Sequence, residues 1–543
     1  MAIPSVLSMS PALAAAVVVC ITTVAIYRLF FHPLAKYPGP TLAKLSQWPE
    51  ARSAWQGRRH LDLYLLHEKY GDVVRFSPDK LSFRTVGALQ DIYTDRRANV
   101  IKTGWTATGL RINPGITTHS LSDRELHAKR RRLLNNAFSD SALRNLEPYL
   151  LEAVREWCDH LSEPRDDDGS SGWSEERDMS TWSTLFIVDV FGDLCFGAKF
   201  GAMKKGSSYI LELLMSSVRF QQCLSFLPIR EFLFPFMTPR ILKATGNKTF
   251  KQRTMYREDV GKLVQERFAL EKANAEKSPD EQRKDLFHYL MQAKDPRTSE
   301  VFRPQDLVGE AALLLGAGSD TSSTTLSGCF WYLMRSPRVL KRLQDEVRSS
   351  FDDVEDIRWG TKLSSLTYLR ACIDEALRIA PSVPGYLDRL VLAGGAVIDG
   401  HFVPEGAVVG VTHYAIHHNP EYYSRPFEFL PERWLAGPES SAVTGFDVTP
   451  ESVEVAKSAF HAFLSGPRSC VGKNMAYMEL SIAIARVIWL FDIRLKQGDH
   501  SGEGRPGWEP GRERVGEYQL KDWLIADREG PVLEFKKSKI SQV

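Results

Sequence analysis

The stretch FLSGPRSCVG at residues 463–472 places one cysteine, Cys470, directly before a predicted helix over residues 474–491. Gly466 and Gly472 let the backbone turn tightly and approach a neighbouring group closely. The free N–H groups and the dipole at the start of a helix stabilise a thiolate. The other six cysteines are scattered and form no CxxC pair, which predicts reduced, buried thiols rather than disulfides or a zinc site.

This stretch fits the pattern F-x-x-G-x-R-x-C-x-G, in which the chain resembles the cytochromes P450, whose haem-ligand loop carries this signature. The resemblance implies haem b as the cofactor and Cys470 as the thiolate ligand of its iron. Such a thiolate pushes electron density onto the iron and favours O–O cleavage. Arg468 is then expected to pair with a haem propionate, Phe463 to shield the sulfur from water, and Gly466 and Gly472 to lie against the haem. A buried structural cysteine is the alternative.

A second motif lies inside a long predicted helix at residues 304–335, which is apolar on most faces. Its segment AGSDTS, residues 317–322, matches the family's oxygen-activation motif. Small residues such as Ala317 would allow the helix to pass close over the haem. The Thr321 hydroxyl can bond the backbone one turn back and open the helix locally. Asp320 and Thr321 are therefore the predicted catalytic pair that relays protons to oxygen; a polar patch in a core helix is the alternative.

Three charged residues are predicted to form a structural network. Glu375 and Arg378 are spaced as E-x-x-R, which places both side chains on one face of a helix that ends before Pro381. Arg433 follows in the segment PERW at residues 431–434, as it does in the family. Because buried charges need partners, the resemblance implies that the three residues pair in the interior.

Further basic residues match family contacts to the haem propionates. His127 and Arg131 lie four residues apart on a basic helix and match the pattern W/H-x-x-x-R, although tryptophan is commoner at the first position. Arg389 follows the turn at residues 381–385 and matches another such contact. A solvated helix face is the alternative explanation of the basic run.

The N-terminus predicts a membrane anchor. No charged residue occurs from Met1 to Tyr27, and the apolar run reaches Phe31, close to the roughly 20 residues that span a bilayer. Arg28 and Lys36 follow the run, which predicts a cytosolic body, and the basic start of a cleaved signal peptide is missing. We predict a luminal segment 1–10, a transmembrane signal anchor 11–31, a proline-rich connector 32–45 and one large catalytic domain 46–543.

The remaining sequence predicts a mainly α fold with small β-sheets, of α+β class and cytochrome P450 type. Short strands are expected at residues 73–76 and 81–86, and a hairpin at 397–403 around the turn Asp399-Gly400. Polar segments at 162–178, 271–284, 436–450 and 497–517 are expected to be surface loops. The formal net charge of +2 gives no reason to expect nucleic acid as a partner.

The resemblance also predicts the substrate pocket. Its wall is expected to comprise residues 101–122, 219–240, 313–321, 383–386 and a tip near 519–523. Four phenylalanines indicate that the pocket is apolar: Phe220, Phe226, Phe232 and Phe234. Fatty, terpenoid, polyketide and aromatic substrates all fit this description.

The implied function is a monooxygenase that inserts one oxygen atom from O₂ into an apolar small molecule. Electrons would come from NADPH–cytochrome P450 reductase, with cytochrome b5 as a further donor, at the endoplasmic reticulum membrane. The connector and the motif spacing are most similar to fungal microsomal members, which often act in secondary metabolism.

Two other functions stay open. One is a haem-thiolate isomerase, dehydratase or peroxygenase that needs no reductase; the other is a non-catalytic haem or lipid binder at the membrane. Enzymes of the first kind often lose the acid–alcohol pair, and a binder needs no proton relay. The presence of Asp320 and Thr321 therefore favours the monooxygenase.

Overall fold

The computed structural model describes residues 11–103, 117–165, 172–233 and 248–542, and the predicted luminal segment 1–10 lies outside them. As predicted, the fold is mainly helical. The described α-helices are α1 Pro11–Ile26, α2 Thr41–Leu45, α3 Trp48–Trp55, α4 Arg59–Tyr70, α5 Val86–Leu89, α6 Arg124–Ala137, α7 Asp140–Leu161, α8 Met179–Phe196, α9 Ala202–Lys205, α10 Tyr209–Ser225, α11 Arg230–Leu233, α12 Lys248–Ala275, α13 Leu286–Gln292, α14 Pro304–Arg335, α15 Pro337–Ser350, α16 Thr361–Ser364, α17 Thr367–Ile379, α18 His413–His417, α19 Pro438–Thr444, α20 Pro450–Ala459 and α21 Lys473–Leu490.

The described strands form four small sheets. They are β1 Val73–Ser77, β2 Lys80–Phe83, β3 Val100–Lys102, β4 Arg177–Asp178, β5 Arg389–Val391, β6 Ala396–Ile398, β7 His401–Val403, β8 Val408–Val411, β9 Phe491–Leu495, β10 Lys521–Trp523, β11 Ile525–Asp527 and β12 Val532–Lys537. The largest sheet has the order β1-β2-β8-β5-β3, in which β2 and β8 run parallel with Leu81 opposite Val409. The other sheets are β4-β12-β9, β10-β11 and β6-β7.

The predicted strands and the hairpin are present with one boundary corrected. Strand β2 ends at Phe83, and Val86 begins α5 because the Thr85 hydroxyl caps that helix by accepting from the Ala88 N–H. The β6–β7 hairpin turns at Asp399 and Gly400, whose φ angles of 46° and 75° are the left-handed values that a tight hairpin requires.

Two of the predicted surface loops contain more helix than expected. Helix α12 continues to Ala275, and the 436–450 segment contains α19 and the start of α20. Pro438 lies in the first turn of α19 and Pro450 in the first turn of α20. Proline is tolerated there because an N–H in the first turn has no partner within the helix. Pro438 and Pro450 therefore mark the starts of two helices in a segment that we predicted to be a loop.

Helix α14 runs through the core and packs against α8, α17 and α21. A Cβ atom at Gly318 would lie 2.0 Å from the Phe191 ring on α8, so that ring occupies the space that a side chain at residue 318 would need. Helix α8 is long and apolar enough to cross a membrane, but 83% of it is buried, as befits a core helix. By contrast, Pro11–Phe31 passes the same test with none of it buried.

The predicted connector lies against the body. Leu34 and Tyr37 are buried in the core beside the five-stranded sheet. The Arg75 N–H donates to the Pro38 carbonyl at 2.7 Å, and a Cβ at Gly39 would lie 2.0 Å from the Arg75 carbonyl oxygen. The segment 32–45 is thus packed along strand β1 and includes helix α2.

The structure brings Glu375, Arg378 and Arg433 together in the interior. Arg378 donates twice to the Glu375 carboxylate, at 2.9 and 2.8 Å, and Arg433 donates at 3.0 Å. The Leu430 N–H and the Trp434 indole also donate to it, each at 3.0 Å. Burial acts to raise the pKa of Glu375, but the charges of Arg378 and Arg433 outweigh it and the pKa is lowered.

Removal of the Glu375 carboxylate should prevent accumulation of folded protein. Glu375→Ala would leave two buried guanidinium groups without their counter-ion, which typically costs about 3–5 kcal/mol. The amount of haem-loaded protein after purification measures the effect. Asp345→Ala is the control, because it breaks the exposed pair with Lys341 and should change stability by less than about 1 kcal/mol. Wild-type yield and stability from Glu375→Ala would contradict the structural role.

Several buried histidines are held neutral by burial, which lowers the pKa of each. The pKa falls to about 4 in His67, His413 and His461. The pKa is also lowered in three more that are fully buried: His60, His417 and His418. Each of these side chains binds a proton more readily in the unfolded chain, where its pKa is about 6.5.

Acid should therefore unfold the protein over a defined range. The unfolded state binds more protons than the folded one as pH falls from about 6.5 toward the folded pKa of about 4. The stability contribution is full above this window and lost through it. Urea unfolding at a series of pH values measures the slope. His67→Gln should reduce the slope by about one proton. An equal slope in wild type and His67→Gln would refute this account.

Candidate active site

A cavity of about 450 Å³ has both predicted motifs in its wall. Phe463, Cys470 and Gly472 contribute from the cysteine loop, and Ala317 and Thr321 contribute from α14. Much of the remaining wall is apolar, including Phe191, Met215, Val218, Phe226, Ala312, Leu313, Leu377, Val383, Leu524 and Ile525. Its size and lining are typical of a small-molecule site.

The cysteine loop is closed by a hydrogen bond from the Cys470 N–H to the Phe463 carbonyl at 2.8 Å. The Phe463 ring packs against Tyr477 with 5.1 Å between ring centroids. Burial raises the pKa of the Cys470 thiol, although the Gly472 N–H and the Arg131 charge oppose this. A metal cation in contact with the sulfur would favour the thiolate.

The two glycines of the loop serve different purposes. Gly466 has a φ of 71°, and a Cβ there would lie 2.2 Å from the Tyr93 carbonyl oxygen, so its close approach is to that backbone. Gly472 has an ordinary φ of −84°, lines the cavity and would place a Cβ 4.0 Å from the Cys470 sulfur. The tight-turn argument therefore applies to Gly466 and not to Gly472.

The Thr321 hydroxyl donates to the Ala317 carbonyl one turn back, at 2.7 Å. This is the bond that the motif predicts. Helix α14 nevertheless continues without interruption through both residues, so the bond does not open it. Thr321 presents its side chain to the cavity, with the hydroxyl proton committed to Ala317 and its lone pairs available to a donor.

Asp320 points away from Thr321, which corrects the picture of an adjacent pair. Its carboxylate accepts from the Arg528 guanidinium at 3.0 Å and does not line the cavity. Successive residues of a helix point about 100° apart, so both side chains cannot face one side. Arg528 is held in turn by Thr184 and Ser323 at 2.8 and 2.7 Å. Burial raises the pKa of Asp320 despite the Arg528 charge.

A cluster of basic side chains occupies another part of the wall: Lys102, His119, Arg389 and Arg468. Arg468 donates to the backbone carbonyls of residues 121 and 122 at 2.8 and 3.1 Å. Burial lowers the pKa of Arg468 to about 10, with the Arg389 charge adding to the effect, and burial also lowers the pKa of Lys102. Asp388 offsets only part of this positive charge.

Buried cations that repel one another are stabilised by an anionic ligand. The cluster is therefore complementary to a pair of carboxylates, and with the cavity and the cysteine it fits a haem and its two propionates. The sequence identified Arg389 and Arg468 in it; Lys102 and His119 lie within the predicted pocket segment 101–122 but were not predicted as propionate partners. Nothing in their local sequence marks them, since they come together only through strand β3 and the segment before α6.

His127 and Arg131 lie beside this wall rather than in it. Arg131 donates to the Ser469 carbonyl at 2.5 Å and to the Asn135 side chain at 3.0 Å, and so it supports the cysteine loop from behind. Burial and the charges of Arg468 and Lys102 lower the pKa of His127 to about 3. A propionate contact by either residue stays a prediction.

Glu479 is a wall residue that the sequence did not suggest. It lies on α21, is 1% exposed, and accepts from the Ser322 hydroxyl at 2.9 Å. Burial raises the pKa of Glu479 to about 8, so the carboxyl is largely protonated at neutral pH. A protonated acid thus lies next to the residue that follows Thr321.

The described parts of all five predicted pocket segments reach the wall, through Lys102, Gln222, Phe226, Leu313, Gly385 and Asp522 among others. Residues 104–116 and 234–247, with Phe234, lie outside the described residues. Phe220 does not line the cavity, and Phe232 is 71% exposed on α11. Of the four predicted phenylalanines, Phe226 alone is in the described wall.

Comparison with known proteins agrees with this site. Residues 37–503 match the family model described as Cytochrome P450. The chain is 36% identical to cytochrome P450 monooxygenase AKT7 of Alternaria alternata, with 97% of each chain covered. It is also 36% identical to cytochrome P450 monooxygenase poxM of Penicillium oxalicum, covering 94% and 92% of the two chains. It is 33% identical to an averantin hydroxylase of Dothistroma septosporum, covering 87% and 83%. The chain therefore belongs to the cytochrome P450 family of haem-binding monooxygenases.

Proposed function

We propose that this protein is a membrane-anchored monooxygenase in which Cys470 ligates haem b and one oxygen atom from O₂ enters a largely apolar small molecule. The observation that carries the proposal is that Cys470 and Thr321 share one cavity with a mainly apolar wall. One relative is named for the hydroxylation of averantin, and the similarity to such fungal enzymes supports a role in secondary metabolism.

Bound haem would supply the chemistry of a thiolate-ligated iron that cleaves the O–O bond. Arg389, Arg468 and Lys102 would hold its propionates, since their charges lie together in one part of the wall. Ala317 and Phe463 would pack against it, with Phe463 limiting the access of water to the Cys470 sulfur.

Proton delivery is proposed to pass through the Thr321 hydroxyl. The hydroxyl donates its proton to the Ala317 carbonyl, so its oxygen can accept a hydrogen bond from a donor in the cavity. Asp320 can serve this route only after it leaves Arg528, because its carboxylate is held on another side of α14. Glu479, bonded to Ser322, provides another acid close to the same turn, and burial raises its pKa to about 8.

The protein is proposed to sit in the endoplasmic reticulum membrane by α1, with its body in the cytosol. Supporting this, the span Pro11–Phe31 has none of its residues buried. Exposed apolar side chains continue onto α2, α3 and α11 at Leu42, Trp48, Trp55 and Phe232. These are proposed to contact lipid. NADPH–cytochrome P450 reductase, with cytochrome b5 as a further donor, is the proposed source of electrons.

Cys470 should be indispensable for the thiolate spectrum. Reduced protein treated with carbon monoxide should show the red-shifted Soret band of thiolate ligation, and Cys470→Ala should lose that band. Cys158→Ala is the matched control, because Cys158 is buried in α7 away from the cavity wall and should not affect ligation. Retention of the band in Cys470→Ala would end the assignment.

Thr321→Ala should uncouple electron use from product formation. The variant should retain haem, ligand binding and reduction, while product formed per NADPH falls by about 10²–10⁴-fold, the usual effect of losing general acid–base help. Peroxide should rise in compensation. Product, NADPH and peroxide measured together provide the test.

Thr325→Ala is the control for this substitution, since Thr325 also lines the cavity one turn along α14 but bonds Thr321 and Ser382. It should stay far better coupled. If Thr321→Ala forms as much product per NADPH as wild type, the role of Thr321 is limited to packing. If the wild type consumes no NADPH with a reductase and a bound ligand, a reductase-independent enzyme or a haem binder becomes the better assignment.

A further inference from the structure

One part of the cavity wall is polar and is built by elements other than the cysteine loop. It is formed by Arg59 at the start of α4, Gln222 on α10 and Asp522 on β10. Their side chains are well buried, at 4%, 2% and 1% exposure respectively. We call these three residues the polar wall.

Contacts on the three elements show that they meet in one place. The Asp522 N–H donates to the carbonyl of Gly57, two residues before Arg59, at 2.6 Å. The guanidinium of Arg219 on α10 lies 4.3 Å from the ring centroid of Trp523. The Arg59 guanidinium lies 4.3 Å from the ring centroid of Phe226, which directly follows α10 and is four residues after Gln222.

Each residue of the polar wall has one buried atom without a hydrogen-bond partner among the described residues. These atoms are Arg59 Nε, Gln222 Oε1 and Asp522 Oδ2. The other polar side-chain atoms of Arg59 and Asp522 form hydrogen bonds. Arg59 donates to Glu50 and to the Tyr386 carbonyl at 3.1 and 3.4 Å. Asp522 Oδ1 accepts from the Leu524 N–H at 3.1 Å. One donor and two acceptors thus remain unsatisfied, and a buried polar atom in that state costs stability.

The charges around the polar wall argue against a charged ligand group. Glu50 pairs with both Arg59 and Lys80, at 3.1 and 2.9 Å, so two cations and two carboxyls lie in this region when Asp522 is included. A ligand carboxylate would face Glu50 and Asp522, and a ligand ammonium would face Arg59 and Lys80. A neutral group that both donates and accepts fits these atoms: a hydroxyl can accept from Arg59 Nε and donate to one of the two acceptors, and a primary amide can donate to both.

We propose that the polar wall binds a hydroxyl or an amide of an otherwise apolar substrate, and that this group lies at the opposite end of the substrate from the oxidised carbon. The inference rests on the proposed function, since it names the substrate class of the same cavity. It also assigns regiochemistry: the polar wall orients the molecule so that its apolar part faces Cys470 and Thr321.

The test uses pairs of probes that differ only in the donor. Each pair is an alcohol and its methyl ether: 1-dodecanol, 2-decalol and 4-biphenylmethanol with their ethers, to cover linear, bicyclic and aromatic shapes. Dissociation constants come from titrating the Soret shift of the haem-loaded full-length protein. At least one alcohol should bind wild type with the shift of a substrate. The opposite shift, which marks a hydroxyl at the iron, or no shift from any alcohol would overturn the proposal.

Variants of the polar wall should change the ratio of ether to alcohol dissociation constants. Gln222→Met keeps the shape but removes one free acceptor. Asp522→Asn keeps the Oδ1 bond to Leu524 and replaces the other free acceptor by a donor. Because an alcohol has one O–H to donate, the variant that removes its acceptor should lower the ratio about tenfold, the effect of one hydrogen bond. A second variant guards against misfolding of the first.

Val218→Ala is the matched control, since Val218 lies one turn before Gln222 and lines the cavity with apolar atoms only. It should weaken both members of a pair equally and leave the ratio unchanged. Equal ratios in wild type and both polar-wall variants would refute the inference. The carbon monoxide band distinguishes failure of the proposed function from failure of this inference. Absence of the band from wild type would refute the proposed function. Presence of the band with unchanged ratios would refute only the role of the polar wall.

Discussion

The burial of the Glu375 carboxylate is the interaction on which the rest of this structure depends. That one group accepts from Arg378, Arg433, the Leu430 N–H and the Trp434 indole, and so joins α17 to the turn at residues 431–434. Trp434 then packs edge-on against Phe460, with 5.2 Å between ring centroids, three residues before the cysteine loop begins. The position of Cys470 is thus connected to a charge that must be paired to be buried at all.

The central helix divides its chemistry between its faces. Thr321 faces the cavity, Asp320 faces Arg528, and Ser322 faces Glu479. Because these residues are consecutive, one turn of α14 contacts the cavity, the Arg528 guanidinium and the Glu479 carboxyl. Proton transfer to the cavity is therefore a question of which neighbouring acid can reach the Thr321 side, and the acid next in sequence is not the one best placed to do so.

The sequence was most informative where function depends on local spacing. The cysteine loop, the E-x-x-R pair and the Thr321–Ala317 bond are each contained in a few residues, so their geometry could be predicted. Arg528, Glu479, Lys102 and Arg59 could not, because each reaches its partner through a fold that joins distant segments. Asp320 shows the limit of this reasoning. The hydrogen bond predicted for its neighbour Thr321 is present, but the direction of the Asp320 side chain depends on Arg528, more than two hundred residues away.

The packed connector has a mechanical consequence. Leu34 and Tyr37 are core residues, and the Arg75 guanidinium donates to the Arg28 carbonyl at 2.9 Å, so the chain is clamped to the body almost up to α1. A flexible connector would let the body move freely relative to α1, whereas this packed connector holds the body in one orientation close to that helix. With α1 as the proposed membrane anchor, the tilt of the body relative to a bilayer would follow from the direction of that one helix.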